Sequence, residues 1–301
     1  MENELKVLSK PEDRILTFKD CTEVITLDEL RLAESDQQAS KAHYEFIDEV
    51  RNICDKAGIK YSIDEVYVNK YVSAGNKGAF ALKGLTQQYG ENNIHTWLLR
   101  RALTLVKFTD LVLNNMGYTM ALNYLQDGFQ VALGMNVHIC KNMCIYGGNL
   151  IQTYGEGRRG NISYDALMDH IRGWVGTLRE KYDADIKIIE MMKSRPFNHT
   201  IAHEYFGGLM EKAMIGNRTG KYFMFDETEV KNFQRGYLEK INYNPDEAYH
   251  LVPSLFDFYN IGTSVLRLNE TDTRKILVSN NKFSNSIVRE FGGEELVTIL
   301  N

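Results

Sequence analysis

The dipeptide Asp127-Gly128 constrains this chain more than any other feature, because it stands between two long apolar runs, residues 118–125 and 129–140. An Asp-Gly pair readily takes the left-handed backbone of a short hairpin turn, so the two runs are expected to pair antiparallel. More strand-like sequence precedes them. Residues 59–72 alternate in part and are rich in Val, Ile and Tyr, Gly75-Asn-Lys-Gly78 reads as a turn, and residues 98–113 hold further apolar runs. Met116-Gly117 reads as the turn before the hairpin. The centre of the chain is therefore expected to be an antiparallel sheet.

After Gly147-Gly148 the pattern becomes helical. Ser163 and Asp165 predict the start of a long helix to about Met192, weakened at Gly173 and Gly176 and stopped by Pro196. Thr200 reads as the cap of the next helix, which ends near Gly216. Asp226-Glu-Thr-Glu229 has the form of a capping box, and Asn244-Pro245 opens a short helix. Helices over 253–266 and 284–291, the last closed by Gly292-Gly293, complete the series. Ahead of the sheet, Ser40 is the expected cap of a helix over 41–56 that Gly58 ends. Strands followed by helices make an α+β chain, with a central antiparallel sheet from the first half and C-terminal helices packed against it. Residues 1–39 read as an irregular acidic arm. Residues 40–301 read as one α+β domain, strand-rich over 59–146 and helical over 163–292.

Composition narrows the function. The 301 residues are 44% hydrophobic, enough for a large core. No apolar run reaches the roughly 18 residues of a membrane span. The charged start Met1-Glu-Asn-Glu-Leu-Lys lacks the apolar stretch of a secretory signal, and four cysteines make no disulfide framework. A reduced cytoplasmic protein is the expectation. A net charge of −5 excludes a strongly basic nucleic-acid coat. Yet residues 67–235 carry 20 Lys and Arg against 15 Asp and Glu, between two acidic ends.

The chemistry-bearing candidates are few. Gly155-Glu-Gly157-Arg158-Arg159-Gly160 can present backbone N–H groups and two guanidinium groups to phosphate, but it lacks the Lys-Ser/Thr ending of a nucleotide-binding loop and the spacing of a dinucleotide fingerprint. Arg172, Arg179, Tyr146 and Tyr154 are the residues that would extend such a surface to single-stranded nucleic acid. Trp97 with Arg100 and Arg101 is a second basic-aromatic cluster. His138, Cys140 and Cys144 are soft metal ligands without a fourth partner. His199 and His203 stand four apart, but a cap at Thr200 would leave His199 outside the helix and spoil the pairing. The bland reading of each is a core cysteine and a capped helix start. No catalytic residue and no cofactor is indicated.

Four segments carry a resemblance: Gly134-Met-Asn-Val-His-Ile-Cys-Lys-Asn-Met-Cys-Ile145, Phe206-Gly-Gly-Leu-Met210, Leu255-Phe-Asp-Phe-Tyr-Asn-Ile-Gly-Thr263 and Asn281-Lys-Phe-Ser-Asn285. In this order they resemble a family of uncharacterised proteins from phages and conjugative elements of Bacteroidetes, itself close to a broader plasmid- and phage-like family. Asn136 follows Gly134 after one residue where the family has two, and Ser264-Val-Leu-Arg replaces a more polar run. The resemblance implies a mobile element in a bacterial host cell, and no established activity. Together with the Gly157–Gly160 loop it leads to an expected accessory protein, non-enzymatic, binding or annealing single-stranded DNA. Self-association is also expected, since open sheet edges invite pairing. A virion component or host-defence antagonist, and a metal-dependent enzyme, are the alternatives.

Overall fold

The expected hairpin is the middle of the sheet. β5 (Met116–Leu125) and β6 (Gly128–Val137) pair antiparallel without interruption from Leu125↔Gly128 to Met116↔Val137. The computed structural model describes residues 22–28, 30, 43–63, 66–69, 102–125, 128–137, 143–152, 163–219, 224–242, 252–269 and 273–294. β4 (Ala102–Leu113) joins β5 through Asn114-Asn115. The turn thus falls two residues before Met116-Gly117. Asn114 takes φ +51°, a conformation asparagine tolerates, and this lets Met116 and Gly117 pair with Leu113 and Val112.

β3 (Val66–Asn69) and β2 (Tyr61–Ser62) share the outer edge of β4, and β1 (Thr22–Ile25) pairs with β3. β7 (Met143–Cys144) and β8 (Leu150–Gln152) share the far edge of β6. The order is β1-β3-β4-β5-β6-β7, antiparallel throughout. β1 lies within the stretch expected to be an irregular arm. The nearby Leu30 is fully buried in the main core.

Helices follow the sheet, as the α+β reading expects. α1 (His43–Lys56) lies between β1 and β2 in the chain and ends at Gly58, φ +66°. α2 (Tyr164–Gly176) starts at Ser163, whose hydroxyl accepts from Ala166 N. The expected long helix breaks once, at Thr177, whose hydroxyl bonds back to Gly173 O; α3 (Leu178–Ser194) continues from there. α4 (His199–Thr219) and α5 (Glu227–Lys240) come next, α5 with both halves of the Asp226/Glu229 capping box formed. α6 (Leu255–Asn269) is capped by Ser254 and Asp257 in the same reciprocal way. α7 (Thr273–Phe291) begins well before Ser284. Ser284 is no cap: its hydroxyl donates to Asn280 O in mid-helix. The short helix expected at Asn244-Pro245 lies outside the described residues.

The sheet buries both faces. Val106, Phe108, Tyr118, Met120, Leu122, Val131, Leu133 and Met135 share the main core with the helices. Leu103, Leu105, Ala121 and Ala132 face the other way, with Leu277 of α7. α7 therefore spans the β7 edge, since its Phe283 and Ile287 belong to the main core. It also closes that edge. Asn281 Nδ2 donates to Ile145 O (3.3 Å) and Gly147 O (3.1 Å), and Asn285 Oδ1 accepts from Gly147 N (2.8 Å). Side-chain amides thus stand in for a neighbouring strand.

Candidate functional site

The glycine-arginine segment runs between two fixed points. β8 ends at Gln152, held by pairing with β6, and Ser163 caps α2. Gly157, Arg158, Arg159 and Gly160 themselves, with Tyr154, lie outside the described residues, as do Trp97, Arg100 and Arg101. Arg172 is 58% exposed on α2 and bonds to Asp169, one turn back. Arg179 is 70% exposed on α3, 3.5 Å from Asp183, with its guanidinium 5.4 Å above the Tyr182 ring. Residues 164–195 carry six basic and six acidic side chains, so this helical surface is not a basic stripe. Tyr146 cannot extend the surface by stacking on a base. It is buried, 6.1 Å from the Tyr259 ring and nearly parallel to it.

Of the soft metal candidates, His138 and Cys140 lie outside the described residues. Cys144 is fully buried. It pairs with Met135 across the sheet and points, with Tyr146, toward Tyr259 of α6. That is the core position of the bland reading. Among the described residues no three His, Cys, Asp or Glu side chains gather as a metal set.

The two histidines of α4 correct the expectation from sequence. Asn198, not Thr200, is the cap. Its side chain accepts from Ile201 N at 2.9 Å and its carbonyl accepts from Ala202 N. The helix starts two residues earlier than a Thr200 cap would allow. His199 and His203 then share one face, with their Nε2 atoms 2.9 Å apart.

Sequence reading missed a buried polar seam between sheet and helices. Asp185 of α3 is 3% exposed and faces Tyr118 of β5. Burial pushes its carboxyl up to about 8, against the pull of the Tyr118 hydroxyl and the Lys181 ammonium. Burial, then the neighbouring acid, drive Tyr118 far above the ordinary phenol value. Neither Asp185 Oδ2 nor Tyr118 Oη has a well-formed hydrogen bond. Lys181 donates to Asn149 Oδ1 (2.9 Å), and Tyr259 meets Ser284 at 2.7 Å. A second buried group is His43, 3.0 Å from Thr104 Oγ1, which burial holds down to about 3 and hence neutral. The signal for Asp185 was present: it lies on the apolar stripe Leu178, Tyr182, Asp185, Ile189, Met192.

The four segments that carry the resemblance converge here. Gly134 lies against the Cys144 backbone, where a Cβ would come within 2.1 Å of the carbonyl oxygen. Phe206 lies in α4, past its first turn, and its ring meets Phe258 at 5.6 Å. Tyr259 stacks on Phe283 (5.5 Å, 9°), and Asn281 and Asn285 hold the turn at Gly147. These contacts are packing and backbone support. No family model matches this chain, no curated protein matches it, and no solved structure matches it.

Proposed function

We propose that this chain is a non-enzymatic accessory protein of a phage or mobile element that binds single-stranded nucleic acid, with Arg158, Arg159 and Arg172 meeting phosphate and Gly157 and Gly160 opening the backbone to it. The observation that supports this is the setting of Arg172 and Arg179. They stand seven residues apart, exposed, and the carboxylate each pairs with is exposed too and lies on the same helix as its arginine. Exposed pairs of this kind contribute about 0.2–1 kcal/mol, so phosphate can displace the carboxylates. Among the described residues no helix is long and apolar enough to cross a membrane.

Fluorescence anisotropy of labelled single- and double-stranded DNA over a salt series tests the proposal. Binding should weaken steeply with salt. The double variant Arg158→Ala/Arg159→Ala should lower the slope of log K against log salt by about 1.4, at about 0.7 per phosphate contact on a single strand. No binding at low salt, or an unchanged slope, overturns it. The balanced charge of residues 164–195 favours a second reading, in which this surface meets a protein. Self-association belongs to that reading, because β1 has a strand neighbour on one side only among the described residues.

A further inference from the structure

We propose that His199 and His203 form a two-histidine chelating site for a divalent transition metal of tetragonal preference, Cu²⁺ or Ni²⁺. Both residues lie on one face of α4 because Asn198 caps the helix. Their Nε2 atoms are 2.9 Å apart, and the rings stand nearly perpendicular (85°) with centroids 4.3 Å apart.

The separation is informative. Two imidazole nitrogens bound to one ion at about 2.0–2.1 Å lie about 2.9 Å apart at a right angle and about 3.4 Å apart at the tetrahedral angle. The observed distance is that of a square-planar or octahedral bite. An ion at that bite lies about 1.4 Å off the line between the two nitrogens, so it displaces the proton between the rings as each ring turns toward it, with the helix unchanged. Both rings then ligate through Nε2 and carry their proton on Nδ1. His203 is exposed and can shift its proton through solvent.

A second contact preorganises the pair. The half-buried ring of His199 lies parallel to Tyr237 of α5, 12° between planes and 5.9 Å between centroids, which restrains its rotamer. His203 leaves the site open to solvent. No third His, Cys, Asp or Glu among the described residues joins the pair. Water or a second molecule therefore fills the remaining positions, and the site has open coordination.

The test is calorimetric titration of CuCl₂ and NiCl₂ into the full chain, with electron paramagnetic resonance of the Cu²⁺ complex. One ion should bind at this site, with hyperfine coupling from two ring nitrogens. His203→Gln removes an exposed ligand and should leave the far-UV circular dichroism unchanged. It should weaken Cu²⁺ at least roughly tenfold, because the second ligand no longer binds intramolecularly. His170→Gln, an exposed histidine on α2, is the control and should change nothing. Absence of binding, equal affinity in His203→Gln, or Zn²⁺ held more tightly than Ni²⁺ would each overturn the proposal.

Discussion

Replacing Asp185 by asparagine should stabilise the protein, and increasingly so as pH rises. The carboxyl is buried beneath the sheet, and its value climbs from 3.8 to about 8 on folding. A group raised in this way binds its proton more tightly in the folded state. Its contribution is therefore fully present below the unfolded value and is lost as pH rises through the folded one. Each unit corresponds to about 1.4 kcal/mol, so the span of about four units amounts to about 6 kcal/mol above pH 8. About 4 kcal/mol of that has gone by pH 7, and about 1 kcal/mol by pH 4.5. Asparagine keeps the shape and carries no charge, so it escapes the loss. Urea unfolding of both proteins between pH 4.5 and 8.5, read as midpoint and slope, measures the difference. His43 titrates in the other direction, held neutral by burial, and cancels because both proteins contain it. A stability difference that stays flat with pH would refute the reasoning. So would an asparagine variant less stable than the parent at pH 8.

Three further outcomes follow from the packing. Gly134→Ala places a Cβ 2.1 Å from Cys144 O, so β6 and β7 must separate; a loss of about 3 kcal/mol is expected in the same urea assay. Gly173→Ala, exposed on α2 with nothing within 4 Å, should instead gain about 0.5–1 kcal/mol. Equal effects at the two sites would contradict the account. Asn281→Ala removes two hydrogen bonds to the β7 turn and should lose about 1–2 kcal/mol, with faster amide exchange confined first to residues 143–152. Unaltered exchange there would remove the helix from its role as an edge cover.

Local chemistry made much of this architecture legible. Asp127-Gly128 placed the hairpin, Ser163 and Asp226 placed two helix starts, and Gly58 placed a helix end, because each acts within about four residues. The failures share a different cause. Asn198, His199 and Thr200 run together, and both Asn198 and Thr200 can cap, so composition could not choose between them. The helix expected over 284–291 left out Asn280 and Asn281, because a contact that fixes the first half of α7 is not local: the Asn281 amide bonds to a turn 134 residues earlier. Asp185 stands two residues from the exposed Asp183, and only its place on the apolar stripe marks it as buried. Of the candidate site, the histidine spacing was visible and its geometry was not, since one misplaced cap reverses the conclusion.

The asparagine cover on β7 also sets an order of events during synthesis. The strands leave the ribosome early, whereas Asn281 follows Gly147 by 134 residues. At about 5–20 residues per second, that gap lasts roughly 7–27 s. Throughout it the nascent sheet has one finished edge with nothing across it. The interval gives chaperones, or a second nascent chain on the same message, access to backbone groups that α7 later seals.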